Sequence, residues 1–259
     1  MPVHQTVLDS LIAEGRALAK TGRRTDALAK FLKAQLLDPK LNLNPENEVL
    51  RALDAARFEK TQFEASVKLE AGRTRANAGD INGAVVLFRE AKRLDATLAL
   101  DPEAEAQRVA ASAKLREGDV LARQLKIKEA ISAYEEAQTI DRTQKVPGRY
   151  WNTLCWYGSL AGHPDLVIRA CDQAVELTAG LERADYYSRD SRGVARALLA
   201  FSSAEGSTRN LSGAIEDFTI YVNKTRDENK RKQRQGWIDA LRVGRNPFTP
   251  EELKKLLGQ

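Results

Sequence analysis

One spaced quartet of residues governs what this chain can fold into. Gly15, Ala27, Phe31 and Ala34 recur as Gly72, Ala84, Phe88 and Ala91, and again as Gly118, Ala130, Tyr134 and Ala137, with identical separations of twelve, four and three residues. The four and three put Ala, aromatic and Ala on one face of a helix. A glycine twelve residues earlier then belongs to a preceding helix, with a turn in between. Each quartet therefore describes two antiparallel helices pressed close together: glycine lets the backbones approach, the alanines fit under the crossing, and the aromatic plugs the gap to the neighbouring hairpin. Gly22 and Gly79 mark the turn at the same place in their units.

Two further units are looser. Gly158 with Val167, Cys171 and Ala174 keeps the four and three, with a shorter turn around Gly162, His163 and Pro164. Gly193 with Ala214, Phe218 and Tyr221 keeps them across nine added residues, Ser202 to Asn210, whose Ser, Thr, Gly and Asn content reads as a loop. The marker glycines at 15, 72, 118, 158 and 193 are irregularly spaced. The surplus precedes the second and third units, where Asn44-Pro45-Glu46 and Asp101-Pro102-Glu103 each supply a cap, a first-turn proline and an acid suited to the helix dipole. Those first helices start early and run long. The predicted pairs are 6–20 with 24–37, 45–78 with 80–95, 102–124 with 127–140, 148–161 with 164–179, and 183–201 with 211–224.

The expected organisation is five hairpins within residues 1–226, near 8–40, 45–98, 102–142, 148–180 and 183–225, followed by a basic segment and capping helix over 227–259. Thr249-Pro250-Glu251-Glu252 is a strong helix start, with Trp237 and Phe248 as apolar anchors of the cap. Composition agrees with an all-α fold. Aromatics are 6% and charged residues 30%, and the abundant residues are helix formers. No stretch approaches the ~18 apolar residues of a membrane span, and the first residues lack the pattern of a signal peptide. A cytoplasmic location is expected.

The quartet pattern resembles the tetratricopeptide repeat (TPR) family, most closely in the first unit, where Leu11, Gly15, Leu18, Gly22, Ala27, Phe31, Ala34 and Pro39 stand in register. The stretches Trp151 to Gly158 and Asn246 to Leu253 are similar to repeat regions of bacterial, cyanobacterial-type, multidomain signalling proteins. The resemblance implies a TPR-like solenoid and a protein–protein interaction scaffold, with no cofactor and no catalytic residue. It also implies a concave face lined by the first helices of the units. The repeat register puts Arg16, Lys20, Arg73, Asn77, Arg123, Asn152 and Trp156 on that face. Such a mixture suits a peptide carrying acidic groups, because arginine pairs carboxylates bidentately and asparagine holds peptide backbone.

Two other functions compete with that reading. The net charge of +5 resides in residues 224–245, which hold eight basic and three acidic side chains. That segment could grip phosphates, making the chain a polyanion-binding accessory protein. The chain could also be one module of a larger NTPase or protease signalling protein. Nucleophilic chemistry is not indicated. No phosphate loop, zinc-protease or serine-hydrolase motif occurs, and Cys155 and Cys171 fall on packing positions of the repeat, where they are expected as two buried thiols facing each other. With His4 and His163 as the only histidines, a metal site is not expected.

Overall fold

A computed structural model describes residues 2–202 and 207–258, and among them twelve helices and no strand. Contacts divide the chain into two compact units, Met1–Arg75 with Ile81–Ala106, and Ala76–Asp80 with Gln107–Gln259. The helices are α1 (Pro2–Lys20), α2 (Arg24–Leu37), α3 (Pro45–Asn77), α4 (Ile81–Leu94), α5 (Pro102–Arg123), α6 (Ile127–Ile140), α7 (Gly148–Leu160), α8 (Pro164–Thr178), α9 (Glu182–Ser202), α10 (Ser207–Lys224), α11 (Glu228–Arg242) and α12 (Pro250–Leu257). This is an all-α fold of TPR-like helical hairpins with extended first helices and a C-terminal cap.

The caps expected for the long helices are present. Asn44 accepts a hydrogen bond from the Asn47 amide at 2.9 Å, and Asp101 accepts from the amides of Glu103 and Ala104 at 3.0 Å. The Ala104 amide, ahead of other groups, holds the Asp101 carboxyl below its usual range. At the other end, Thr249 accepts from the Glu252 amide and starts α12. Residues 203–206 of the expected inter-helix loop lie outside the described residues. Of the remainder, Thr208 to Asn210 belong to α10, which begins before its expected start. Leu211 packs into the core below, and once it is anchored each upstream residue adds a helical hydrogen bond.

The quartets do what their spacing predicts. Phe31, Phe88, Tyr134 and Phe218 are buried, as are the alanines beside them. Each ring also lies directly over the marker glycine of its own hairpin: a β-carbon added at Gly15 would meet Phe31 at 2.8 Å, and one at Gly72 would meet Phe88 at 2.6 Å. The glycine is thus the seat of the ring as well as a point of close backbone approach. Tyr134 also reaches onward to the next hairpin, meeting Tyr150 and Trp151 at centroid distances of 6.0 and 5.7 Å. Truncating such a ring to alanine costs about 3–5 kcal/mol in a close-packed core. A repeated ion pair accompanies the seat. Lys68 meets Glu90 at 2.7 Å and Lys114 meets Glu136 at 2.9 Å, in both cases from four residues before the glycine to two after the aromatic.

The fourth unit replaces the ring with a covalent bond. Cys171 stands where the aromatic does elsewhere, and it forms a disulfide with Cys155 across the α7–α8 hairpin. The expectation of two separate thiols is therefore corrected: α7 and α8 cross so closely that the sulfurs bond, while Val167 covers Gly158. Both cysteines are fully buried.

The turns of the first, third and fourth hairpins close in one way. Gly22 and Gly162 adopt left-handed backbone with φ of 82° and 83°. In each turn the next amide reaches back to the helix, Arg23 to Leu18 O at 3.0 Å and His163 to Gly158 O at 2.9 Å. The third unit makes the same closure, Lys126 to Leu121 O at 2.9 Å, but its left-handed residue is Leu125, with φ 62°. A β-carbon disfavours that conformation by roughly 1–2 kcal/mol. Partial loss of Leu125 packing and the greater unfolded freedom of glycine offset part of the relief. Leu125→Gly is therefore expected to leave stability unchanged or raise it by up to about 1 kcal/mol, read from denaturant midpoints. A loss above that size would show that Leu125 is held by packing rather than strained.

Candidate functional site

Five of the seven residues expected to face a partner are engaged within the protein. Arg16 donates to Glu48 at 2.9 Å, Lys20 meets Glu59 at 2.7 Å, Arg73 pairs with Glu70, and Arg123 pairs with Asp119 at 2.9 Å. Asn77 accepts from Arg116 at 2.7 Å. Arg123 also lies over the Tyr157 ring, and the bond to Asp119 raises its affinity for the proton. The cause is visible in the helix periodicity: acids lie one turn away on the same helix, or on the adjacent extended helix α3, and long basic side chains fold onto them. Nothing in the quartet pattern reveals those acids as partners.

The other two residues, Asn152 and Trp156, line a cavity of about 450 Å³ in the C-terminal unit. They lie one helical turn apart on α7, so both reach the same side. The cavity walls come from α9 (Tyr187, Asp190, Ser191), α10 (Tyr221), α11 (Lys230, Gln233, Arg234) and α12 (Lys255, Leu256). Tyr187 and Lys230 also line an adjoining cavity of about 840 Å³, beside the start of α9 and the end of α10.

The floor is set by a buried ion pair. Arg234 donates through Nε and Nη2 to both oxygens of Asp190, at 3.0 and 2.7 Å, and both residues are almost fully buried. Its guanidinium lies 4.4 Å from the Trp237 ring centre and 5.2 Å from that of Tyr221. Burial pushes the Asp190 carboxyl up and Arg234 opposes that shift. Trp237 in turn packs on Phe218 and Phe248, the anchors of the cap. Arg234, read from sequence as one of a solvated or phosphate-gripping run, is instead a core residue, because α11 turns that position toward α9. Arg231 is likewise committed, donating to the carbonyls of Val222 and Thr225.

A second knot closes the α9–α10 hairpin. Asp217, fully buried, accepts from Arg192 at 2.8 and 2.9 Å and from Arg196 at 2.9 Å. Its signal in sequence is the spacing of Arg189, Arg192 and Arg196 on one face of α9 opposite an acid preceding Phe218.

Among the described residues, two buried side-chain atoms of this unit, Asn152 Oδ1 and the Tyr221 hydroxyl, have no hydrogen-bond partner of ordinary geometry. Thr225 lies beside the Tyr221 phenol and draws it down. Burial, followed by the charge of Asp190, dominates and pushes that phenol up to about 12, so it keeps its proton at neutral pH. A Cys–His pair built on His163 is unavailable, since both sulfurs are bonded.

No model of a known protein family matches the chain, and no curated protein matches it. Among solved structures, the crystal structure of the P58(IPK) TPR domain is similar at 12% sequence identity and a TM-score of 0.39, covering 92% of this chain and 79% of that one.

The buried pair makes a distinct prediction. Arg234→Ala leaves Asp190 charged and unpartnered, and is expected to cost about 3–5 kcal/mol, measured by denaturant unfolding. Replacing both residues, as in Asp190→Leu with Arg234→Met, should recover most of that loss. A single variant as stable as the parent would refute the pairing.

Proposed function

We propose that the chain is a non-catalytic scaffold that holds a segment of a partner protein against the cavity between α7, α9, α10, α11 and α12, with Asn152 and Trp156 as contacts. The observation that carries this reading is the cavity itself, lined by Asn152, Trp156 and Tyr187 together with Lys230 and Lys255. Planar aromatic side chains and an arginine or lysine rim are the groups that dominate protein recognition.

The charge of the cavity favours an acidic segment. Lys230, Arg234 and Lys255 line the cavity with one acid, Asp190, which Arg234 already occupies, while Asp227 pairs with Lys230 and Glu252 lies beside the two lysines. Arg16, Lys20, Arg73, Asn77 and Arg123 are secondary contacts in this proposal, which a partner reaches only by displacing Glu48, Glu59, Glu70, Arg116 and Asp119. A polyanion reading retains Lys224, Arg226, Lys232 and Arg245 of the basic segment but loses Arg231 and Arg234 to structural bonds. Membership in a larger signalling protein with NTPase or protease modules is compatible with a scaffold role and rests on the resemblance of the sequence.

No helix among the described residues is long and apolar enough to cross a membrane. Disulfides are rare in cytosolic proteins, so the bonded, fully buried Cys155–Cys171 pair favours an oxidising compartment over the cytoplasm. Closing a loop with a sequence separation of 16 stabilises by roughly 3 kcal/mol. The protein isolated without reductant should therefore resist alkylation when unfolded, and Cys171→Ala should lower stability by about that amount. Two alkylated thiols would restore the cytoplasmic reading.

The scaffold reading is tested by retention of a partner on the immobilised chain. Trp156→Ala should weaken it at least tenfold, about 1.4 kcal/mol, while Arg73→Ala with Arg123→Ala should change it less than threefold. Retention that survives Trp156→Ala, falls steeply with salt, and disappears when Lys224, Arg226 and Lys232 are neutralised would identify a polyanion partner instead.

A further inference from the structure

The last helix is held differently from those before it. Helices α6 to α9 each bury several residues, and α11 buries Arg234, Trp237, Ile238 and Leu241, whereas α12 buries none. Resting on the scaffold reading above, we propose that α12 is a displaceable latch, lying in a groove that accepts an amphipathic helix of the partner in its place. That helix carries leucines at the spacing of Leu253, Leu256 and Leu257, an acid where α12 has Glu252, and a bulky apolar residue where it has Lys255. Three observations carry this.

First, the end of the stack is closed without α12. Phe248, which precedes the helix, is buried against Trp237 and Phe218. The connection behind it, from Arg242 to Asn246, is exposed and passes through left-handed backbone at Gly244, with φ 70°. α12 is capped by its own residues, Thr249 accepting from the Glu252 amide and Gly258 taking the left-handed conformation at the far end. Acids stand in its first turn and lysines in its last, as the helix dipole favours. The sequence thus favours a helix locally, but eight residues are too few for one to persist alone in water. Docking is what keeps it formed.

Second, the docked face of α12 is a recognition pattern. The helix returns to α7, the first helix of the fourth hairpin, and packs Leu253, Leu256 and Leu257 on the cluster that holds Leu160, Trp237 and Phe248. Trp156 of α7 packs on the same cluster. Leucines at i, i+3 and i+4 form one stripe along a helix, which is how short amphipathic helices seat in apolar grooves. One polar contact fixes the direction: Gln233 Nε2 donates to Glu252 at 2.6 Å.

Third, α12 fills its groove incompletely. Cavities of about 450 and 420 Å³ adjoin it, and Lys255 lines both. Aromatic and apolar side chains stand in their walls, Trp156 and Tyr187 in the first, Trp237 and Pro247 in the second. A lysine can lay its stem along such walls, but its ammonium stays in water and the space stays open. A large apolar side chain at that position would close it, and close packing is what a stable apolar contact achieves. A partner helix can therefore fit the groove better than α12 does. Against it, α12 competes from the same chain at high effective concentration, so only a well-matched helix displaces the latch.

The test uses the full chain and acetylated, amidated peptides with the sequence of residues 249–258, titrated by calorimetry. Lys254→Pro breaks α12 at an exposed position, and Leu256→Asp with Leu257→Asp releases it without a proline. Either released protein is expected to unfold within about 4 °C of the parent. It should bind the peptide at least tenfold more tightly than the parent, whose own α12 competes. A Lys255→Phe peptide should bind the released protein at least threefold more tightly still, and a peptide with Leu253→Asp and Leu256→Asp should not bind. The released protein should also retain the partner at least threefold more tightly than the parent. A larger fall of the midpoint in both variants would make α12 part of the fold and overturn the latch. Equal affinity of parent and released protein for the peptide, or no binding to either at millimolar concentration, overturns it too, as does a partner retained no better after release. A Lys255→Phe peptide that binds no more tightly than the natural sequence strikes the bulky residue from the pattern. A dimer of the parent that dissociates in Lys254→Pro would give the groove to a second copy exchanging α12 and overturn the partner helix. Partner retention that depends on Trp156 leaves the scaffold reading standing under each of these results; retention indifferent to Trp156 removes that reading whatever the peptides do.

Discussion

The structure depends on a ring lying over a glycine. In the first, second, third and fifth hairpins an aromatic on the second helix occupies the space that a β-carbon on the first helix would need. That single contact fixes the distance between the two helices, and the alanines on either side of the ring become possible only at that distance. With the helix pair set, the ring's far edge is left to meet the next element. Tyr134 meets Tyr150 and Trp151, and Phe218 meets Trp237 and Phe248. Packing within a hairpin and packing to its neighbour are therefore one interaction seen from two sides, and a residue that changes the ring disturbs both. The fourth hairpin shows the constraint from its exception. A cysteine in the ring position is too small to bridge the gap by packing, and the disulfide to Cys155 holds α7 against α8 instead.

This rigidity bears on the cavity. Asn152, Cys155 and Trp156 share a short stretch of α7, so the disulfide anchors the stretch of helix that carries two of the cavity's side chains. The opposite wall is fixed by Arg234, which ties α11 to α9 through Asp190 and stacks on Trp237. The cap helix α12 adds Lys255 and Leu256 to the rim. A covalent bond, a buried ion pair and an aromatic cluster thus surround the cavity. Elsewhere in the chain the fold spends its polar groups on one another, as in the knot of Arg192 and Arg196 on Asp217.

How much of this is legible in the sequence follows from the range of each interaction. The quartets, the caps at Asn44 and Asp101, the helix start at Thr249 and the anchoring roles of Trp237 and Phe248 rest on local spacing or strong apolar preference, and they read directly. Leu125 did not announce itself as a turn residue, because the closure of that turn is dictated by the hairpin and imposed on a side chain that disfavours it. The candidate site divided along the same line. Asn152 and Trp156, which helical register gives to the concave face, lie one turn apart on a cavity wall. Arg16, Lys20, Arg73 and Arg123 read as basic members of the concave face, and register says nothing of which acid a long side chain will reach. Arg234 was the hardest to read. Its partner Asp190 lies 44 residues away, and its neighbours Lys230, Arg231 and Lys232 give it the look of a solvated run.

That last case carries a general consequence for basic segments in helical repeats. A run of lysines and arginines on one helix points in all directions, so at least one member faces inward if the helix packs at all. An inward arginine is tolerable only with a carboxylate already waiting, since an unpaired buried charge costs several kcal/mol. The presence of a single buried acid on a neighbouring helix, here Asp190 in α9, therefore separates a basic helix that belongs to the fold from one that is free to grip a polyanion. By this criterion α11 belongs to the fold through Arg234 and Arg231, and what remains of its charge, Lys230 above all, is positioned by that commitment at the edge of the cavity. The net positive charge of the segment is then a local property of one rim rather than a uniform surface, which is the condition under which it can select a ligand by shape as well as by sign.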